Sequence, residues 1–212
     1  RKAVKSKDIK SDPKHYTTDF LNVPLDNQPE TRPGSWTLLN AKATMDRLES
    51  ISDAGRPAHR YAPGEDGAAG FYGLVQSGQS MMYYTPAVKN GGDVSLHMSG
   101  MPFKFEGQGF SVAWCWMDML LDFNPETLSG YGVRFIRTTK YHDAIDCIFI
   151  RYENGRVSEI GEPVSTTAYR PTCDITLALD GGKLSFSLTS DAKYIVTPNR
   201  PEVKTSVEMQ TT

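Results

Sequence analysis

The sequence predicts an all-β protein, an antiparallel β-sandwich of two packed, curved sheets. Three observations point to this class. From Gly70 onward, apolar and polar residues alternate in short segments, which is the pattern of half-buried strands. The same segments are rich in aromatic and β-branched residues, which favour extended backbone. Turn residues separate the segments about every 8–12 residues, as is typical of sandwiches and barrels.

The N-terminal part of the chain has a different composition. Residues 1–19 are polar and basic, and we expect a flexible arm there. Residues 20–63 contain five prolines, which excludes long helices. Within them, residues 40–52 (NAKATMDRLESIS) fit either one helix or an edge strand. No linker composition follows residue 63, so we expect a single β-sandwich domain over residues 20–212.

The expected strands follow one another from Gly70 to the C-terminus. Turns at Asn154-Gly155 and Gly181-Gly182 predict two tight hairpins, because these residues adopt positive φ angles readily. The last segment is expected to form one strand over 203–210, with Val203 in the core. The segments are GFYGLVQS, QSMMYYTPA, DVSLHMSG, FKFEGQGFSVAWCWMDMLLDF, GYGVRFIRTT, AIDCIFIRYENG, RVSEIGEPV, DITLALDGG, KLSFSLTS, YIVTP and VKTSVEMQTT.

Alternation within residues 111–123 (SVAWCWMDMLLDF) divides the side chains of this segment into two sets. Side chains of a strand point to opposite faces in turn. The odd-numbered residues from Cys115 to Phe123 are apolar and belong in the core. The even-numbered residues include the tryptophans and aspartates and belong on the other face. The same parity on later strands completes the predicted non-core face, which presents Trp114, Trp116, Asp118, Arg134, Asp146, Glu208 and Gln210.

This succession of strands resembles the concanavalin A-like family of lectin and glucanase jelly rolls. The resemblance covers roughly residues 60–212 and is carried by DGAAGFYGL, MMYYTP, GQGFSVAWCWMDML, GYGVRF and VKTSVEMQT. It implies a jelly-roll sandwich with a concave, glycan-binding sheet. It also implies an extracytoplasmic bacterial protein, periplasmic, cell-surface or secreted, that recognises or degrades polysaccharides.

The laminarinase-type hydrolases of that family carry their catalytic carboxylates in the pattern E-x-D-x-x-E or E-x-D-x-E, which this sequence lacks. Their catalytic assignment therefore does not carry over. The remaining carboxylate candidates for hydrolysis are Asp118, Asp146 and Glu208. Two carboxyl groups about 5–9.5 Å apart would be needed. The alternative is that Asp146 forms a cross-strand ion pair with Arg134.

A non-catalytic site is the leading hypothesis. Trp114 and Trp116 would stack on the apolar face of a sugar ring, and polar groups nearby would bind its hydroxyls. Those hydrogen-bonding partners are Asp118, Arg134, Glu208 and Gln210. A polar rim at Arg137 and Lys140 to His142 would suit a carboxylated sugar, or it is a solvated turn. The alternatives are a glycoside hydrolase or lyase, and a structural domain whose tryptophans pack against a partner.

Composition excludes several function classes. Lys and Arg number 23 and Asp and Glu 25, a formal net charge of −2, which does not favour nucleic acid. No apolar run approaches the ~18–20 residues of a membrane span. No motif supports a metal or another cofactor, and DGAAG and LDGG are poor calcium loops.

Three cysteines in apolar contexts favour free thiols over one disulfide with a leftover. The chain opens without methionine on RKAVKSKDIK and stops at SVEMQTT. We therefore expect a fragment of a longer polypeptide, whose other domains would be partners.

Overall fold

A computed structural model describes the chain over residues 11–12, 15–16, 36–39, 59–63, 72–76, 81–84, 93–100, 116–138, 140, 144–169, 173–190 and 200–212. All regular elements in these ranges are β-strands. The chain divides into two compact units, Arg1–Asn90 and Gly91–Thr212. The described ranges contain no helix long and apolar enough to cross a membrane.

The described residues of the first unit form three antiparallel strand pairs. Strand β1 pairs with β2, β3 with β6, and β4 with β5. The strands are β1 (Ser11–Asp12), β2 (His15–Tyr16), β3 (Trp36–Leu39), β4 (His59–Pro63), β5 (Tyr72–Gln76) and β6 (Met81–Tyr84). The two expected strands around residues 70–87 are thus present as β5 and β6.

The second unit contains two larger sheets. Its strands are β7 (Val94–Gly100), β8 (Trp116–Asn124), β9 (Ser129–Arg137), β10 (Ile145–Glu153), β11 (Arg156–Thr166), β12 (Cys173–Asp180), β13 (Lys183–Thr189), β14 (Val203–Lys204) and β15 (Val207–Gln210). One sheet has the order β14-β11-β10-β9-β8, and the other has the order β15-β13-β12-β7. All neighbours are antiparallel except β14, which is parallel to β11.

One apolar core joins the two sheets. Phe135 of the five-stranded sheet meets Phe186 of the four-stranded sheet edge-on, with ring centroids 5.6 Å apart. Phe135 is fully buried and Phe186 nearly so. The core cluster takes every second residue of β9 and β10, among them Val133, Ile145 and Cys147. This parity is the one that alternation predicts, and a two-sheet sandwich arrangement with a shared core follows.

Both expected hairpins are present. The β10–β11 turn has φ of 51° at Asn154 and 79° at Gly155, and the β12–β13 turn has φ of 55° and 78° at Gly181 and Gly182. Two successive positive φ values are the signature of a type I′ turn, whose twist matches the flanking strands. These two turns therefore set the register of β10 against β11 and of β12 against β13.

The C-terminal segment differs from the expectation of one strand. It pairs first with β11 through Val203 and then with β13 through Val207, so it changes sheets between them. Val203 is buried beside Ser165, whereas Val207 belongs to the core cluster. Val203 is buried as expected, but it lies outside the cluster between the two sheets, because parity does not persist through such a break.

Other expectations lie outside the described residues. They include the helix or edge strand over 40–52 and the strand YIVTP at 194–198. The boundary between an arm and a domain at residue 19 also lies there. The single domain over residues 20–212 stays a prediction.

Candidate functional site

The outer face of the five-stranded sheet, opposite the core cluster, carries most of the predicted site. Pairing aligns Asp118 of β8 with Arg134 of β9, and Arg134 with Ile148 of β10. The neighbouring row runs from Trp116 through Ile136 to Asp146. The structure therefore brings Trp116, Asp118, Arg134 and Asp146 onto one face, as alternation predicts. Trp114 lies outside the described residues.

Asp118 and Arg134 form a two-point ion pair. Arg134 Nε donates to Asp118 Oδ1 at 2.8 Å, and Arg134 Nη2 donates to Asp118 Oδ2 at 2.9 Å. Only 5% of the Asp118 side chain and 12% of the Arg134 side chain are exposed. A planar guanidinium matches a carboxylate in this way with little loss of freedom per bond. The pair is therefore a fixed, largely desolvated feature of the face.

Tyr152 completes the network, and sequence reasoning missed it. Its hydroxyl donates to Asp118 Oδ2, from β10 across β9 to β8. The backbone pairs Tyr152 with Gly130 and Ile150 with Gly132, so β9 presents no side chain to the outer face at these two positions. Parity could have placed Tyr152 on the outer face, because it follows Ile148 and Ile150 at every second residue of β10.

Electrostatics hold this network in one protonation state. Burial first, and then the negative charge of Asp118, raise the pKa of the Tyr152 phenol well above its usual value. Burial alone would lower the pKa of Arg134, but the hydrogen bonds and charge of Asp118 raise it above its ordinary value. Tyr152 is therefore a neutral donor and Arg134 a permanent cation at physiological pH.

Trp116 lies against this pair. The guanidinium carbon of Arg134 is 4.3 Å from the centroid of the indole ring, which is a cation–π arrangement. Trp116 is partly exposed, unlike the fully buried Phe135 on the next strand. Arg134 covers one face of the indole and fixes its orientation. The arrangement is an aromatic platform with a rigid polar border.

Asp146 has its own partner and does not pair with Arg134. Ser165 of β11 donates its hydroxyl to Asp146 Oδ1. Asp118 and Asp146 lie on strands two positions apart in the sheet, and they are offset by two residues along the strand direction. Their backbones are therefore about 12 Å apart. Glycoside hydrolysis needs carboxyl groups about 5–9.5 Å apart. The two backbones are thus farther apart than this range, and Arg134 neutralises the charge of Asp118, so the geometry does not favour Asp118 and Asp146 as a hydrolytic pair.

Glu208 and Gln210 lie elsewhere in the fold. Both belong to β15 of the four-stranded sheet, where they alternate with Val207 of the core cluster. They are exposed on the outer side of that sheet, which faces away from Asp118 across the sandwich. Their predicted grouping with the tryptophans is wrong, because parity shows which side of its own sheet a residue takes but not which sheet its strand joins.

In the predicted polar rim at Arg137 and Lys140 to His142, Arg137 is not an exposed side chain. Arg137 is buried and its Nη1 donates to the backbone oxygen of Ala144 at 2.8 Å. That bond ties the end of β9 to the start of β10. Lys140 is exposed, and Tyr141 and His142 lie outside the described residues.

The centre of the outer face is apolar and buried. Ile150 has no exposed surface, and Ile148 and Tyr152 are each 3% exposed. None of the three belongs to the core cluster between the sheets. The outer face thus has a buried centre on β10 and a partly exposed border at Trp116 on β8.

In the described part of the chain, no three His, Cys, Asp or Glu side chains are grouped to hold a metal ion. Comparisons with protein-family models, curated proteins and solved structures find no match to this chain. The geometry of the outer face is therefore the basis for assigning a function.

Proposed function

We propose that this chain is a non-catalytic carbohydrate-binding domain and that it binds an oligosaccharide or polysaccharide at the Trp116 border of the outer face. A single observation carries the proposal. A partly exposed indole is held by the guanidinium of Arg134, which is itself fixed in a two-point ion pair with Asp118. A sugar ring would stack on the other face of the indole, and its hydroxyls would bond to the polar border.

Preorganisation supports this assignment. Binding is weakened by the free energy needed to order side chains. Trp116 and Arg134 already hold each other in position, and Asp118 is hydrogen-bonded by both Arg134 and Tyr152. A ligand would meet a surface whose orientation is set before it arrives.

The proposal extends to the jelly-roll topology and to an extracytoplasmic, polysaccharide-recognising protein of the concanavalin A-like type. The contact of Tyr152 with Asp118 spans an intervening strand, and a sheet that curves towards its outer face favours such a contact. A concave face is the shape that suits a chain of sugar rings. Other domains of a longer polypeptide would then act on the bound polymer.

Hydrolysis is the less favoured alternative. The candidates Asp118 and Asp146 are about 12 Å apart by strand spacing, and Glu208 lies on the far side of the sandwich. Both oxygens of Asp118 already accept hydrogen bonds. Neither a nucleophile nor a general acid is placed as the two-carboxylate mechanism requires.

The test is a titration of tryptophan fluorescence with plant, algal and host oligosaccharides, run beside an assay for new reducing ends. We expect a saturable shift without new ends. Trp116→Ala should abolish binding, while Glu208→Gln, on the opposite side of the sandwich, should bind normally. New reducing ends that disappear in Asp118→Asn would replace the proposal with a hydrolase. Loss of binding in Glu208→Gln would move the site to the other sheet.

A second candidate function is a packing domain, and the buried centre of the outer face favours it. Ile148 and Ile150 are apolar side chains outside the core cluster that are nonetheless buried. In this case Trp116 would contribute to packing, not to a ligand. A flat fluorescence trace over the whole panel, together with a large loss of thermal stability in Trp116→Ala, would favour this function.

A further inference from the structure

We infer that the outer face selects neutral, hydroxyl-rich glycans and discriminates against uronic acids and sulfated sugars. The inference rests on the proposed function, since it names the class of glycan that the same site would take. Arginine is the usual ligand for a sugar carboxylate or sulfate, because its two parallel N–H groups match two oxygens. The question is whether an arginine of this face is free to do so.

Arg134 is not free. Its Nε and Nη2 atoms are both directed at Asp118, at 2.8 and 2.9 Å. These are the atoms on one edge of the guanidinium, and an anionic sugar would have to displace the carboxylate that occupies them. With 12% of its side chain exposed, Arg134 also offers little surface to a competing anion.

Arg137, three residues further along β9, is engaged in a different way. It is buried, and its Nη1 donates to the backbone oxygen of Ala144. Recruiting it to a ligand would break a buried hydrogen bond, which is costly. Arg137 also lies on the other side of β9 from Arg134, since it pairs with Ile145 of the core cluster. Neither arginine is therefore free to bind a uronate on the outer face.

The net charge of the outer face also disfavours an anionic ligand. Strand pairing places Glu159 of β11 beside Ile150 on this face. Strand pairing also places Asp118, Asp146 and Arg134 there, whereas Asp122 of β8 lies in a register shift and is not placed by pairing. Three carboxylates and one guanidinium give a formal charge of −2. Such a face repels an anion at low salt.

Hydroxyl groups fit the same surface. Glu159 is exposed and Asp146 partly so, and their carboxylate oxygens can accept hydrogen bonds from hydroxyls. The partly exposed indole of Trp116 offers an apolar surface to C–H groups. A neutral sugar supplies both kinds of group and carries no charge to be desolvated. The residues that would obstruct an anion are therefore the ones that would bind a neutral chain.

The experiment compares neutral hexasaccharides with charged ones. The full chain is titrated with cellohexaose, laminarihexaose and xylohexaose, and with hexagalacturonate and a sulfated hexasaccharide, at 20 and 300 mM NaCl. We expect a neutral hexasaccharide to bind at least tenfold more tightly than either charged one, with little change between the two salt concentrations. Tighter binding of a charged hexasaccharide that weakens steeply with salt would overturn the inference and leave carbohydrate binding standing. No binding to any member would overturn both.

Asp118→Asn tests the cause. Removing the carboxylate charge releases Arg134, and we expect affinity for hexagalacturonate to rise about tenfold at low salt, the size of a hydrogen bond to a charged group. Asp146→Asn is the matched control, because it removes one negative charge from the same face without touching the partner of Arg134. An equal gain in both variants would assign selectivity to net charge alone and contradict the role of the pair. If Asp118→Asn does not fold, the salt dependence of the unmodified chain still decides the inference.

Discussion

Arg134 and Asp118 are paired neighbours on adjacent strands, and they are joined through both carboxylate oxygens at 2.8 and 2.9 Å. Their side chains are largely buried, so each desolvated charge is compensated mainly by the other. A pair of this kind is costly to break, although it adds little when compared with a well-packed apolar pair. Single and double replacements of the two residues distinguish the cost of breaking the pair from its net contribution to stability.

We expect either single replacement, Asp118→Leu or Arg134→Met, to destabilise the fold by about 3 kcal/mol, because one buried charge is left without its partner. The double variant Asp118→Leu/Arg134→Met should recover part of this loss, because no charge is left unpaired, although the buried Tyr152 hydroxyl still loses its acceptor. Urea unfolding of the four proteins gives the coupling energy directly. Additive losses in the double variant would show that the pair is not coupled.

Gly132 is required by the close approach of β8 and β9. A Cβ atom at this position would lie 1.7 Å from the Met119 backbone oxygen and 2.8 Å from its carbonyl carbon. Neither atom can rotate away, so the strands would have to separate. We expect Gly132→Ala to destabilise the fold by about 3 kcal/mol or more, at the upper end for overpacking.

Gly130→Ala is the matched control on the same strand. Its added Cβ would lie 3.0 Å from the Leu121 backbone oxygen, so a small shift accommodates it and a loss of about 1 kcal/mol is expected. Thermal unfolding of both variants measures the difference. Equal losses would mean that β8 and β9 are not as closely apposed at Met119 as the structure shows.

Two adjacent threonines, the last residue of β11 and the one that follows it, should respond in opposite directions to the same change. Thr167 Oγ1 is buried and has no hydrogen-bond partner among the described residues. Thr166 Oγ1 donates to the backbone oxygen of Lys204 at 2.8 Å and accepts from the Ala168 N–H at 2.9 Å. Thr→Val keeps the shape and removes only the hydroxyl.

We therefore expect Thr167→Val to stabilise the fold by about 1 kcal/mol, since it removes an unsatisfied buried hydroxyl. Thr166→Val should destabilise it by about 2 kcal/mol, because the Ala168 N–H and the Lys204 oxygen lose their partner. Chemical denaturation measures both values. A destabilised Thr167→Val would indicate that this hydroxyl is hydrogen-bonded in solution.

The sequence was informative where the signal is local. Alternation along β8 to β10 correctly separates Val133 and Phe135 from Arg134, because side-chain direction depends only on parity within a strand. Asn154-Gly155 correctly marks its hairpin, because the required φ angles restrict the residue types. Both inferences need no knowledge of which strands meet.

The sequence was uninformative where a contact depends on pairing between strands that are far apart in the chain. Glu208 has the parity of a non-core residue, yet its strand joins the opposite sheet from Asp118. The sequence suggested Asp146 as the ion-pair partner of Arg134, and the register of β8 against β9 shows that the partner is Asp118. Tyr152 reaches Asp118 across 34 residues of sequence, and no local pattern signals such a contact.

Cys147 and Cys173 are free, buried thiols, and alkaline pH should reveal them. Burial and then Asp146 raise the pKa of Cys147 well above its ordinary value, and burial and Asp174 raise that of Cys173 to about 11. The folded state keeps these protons after an unfolded chain loses them near pH 9. The contribution of these two thiols to stability is therefore constant below about pH 9 and falls above it, by about 1.4 kcal/mol per pH unit for each thiol until its folded pKa is reached.

The measurement is urea unfolding between pH 8 and pH 11 in a Cys115→Ser background, which leaves only the two described thiols. Above pH 9 the free energy of unfolding of Cys147→Ala should fall less steeply than that of its parent, by about 1.4 kcal/mol per pH unit, because the variant lacks one titrating thiol. In the folded parent at pH 8, a disulfide reagent should modify neither thiol until urea unfolds the chain, because the reactive species is the thiolate. Identical slopes for parent and variant, or rapid labelling of the folded chain, would show that Cys147 is accessible in solution, and the buried position of β10 would then have to be revised.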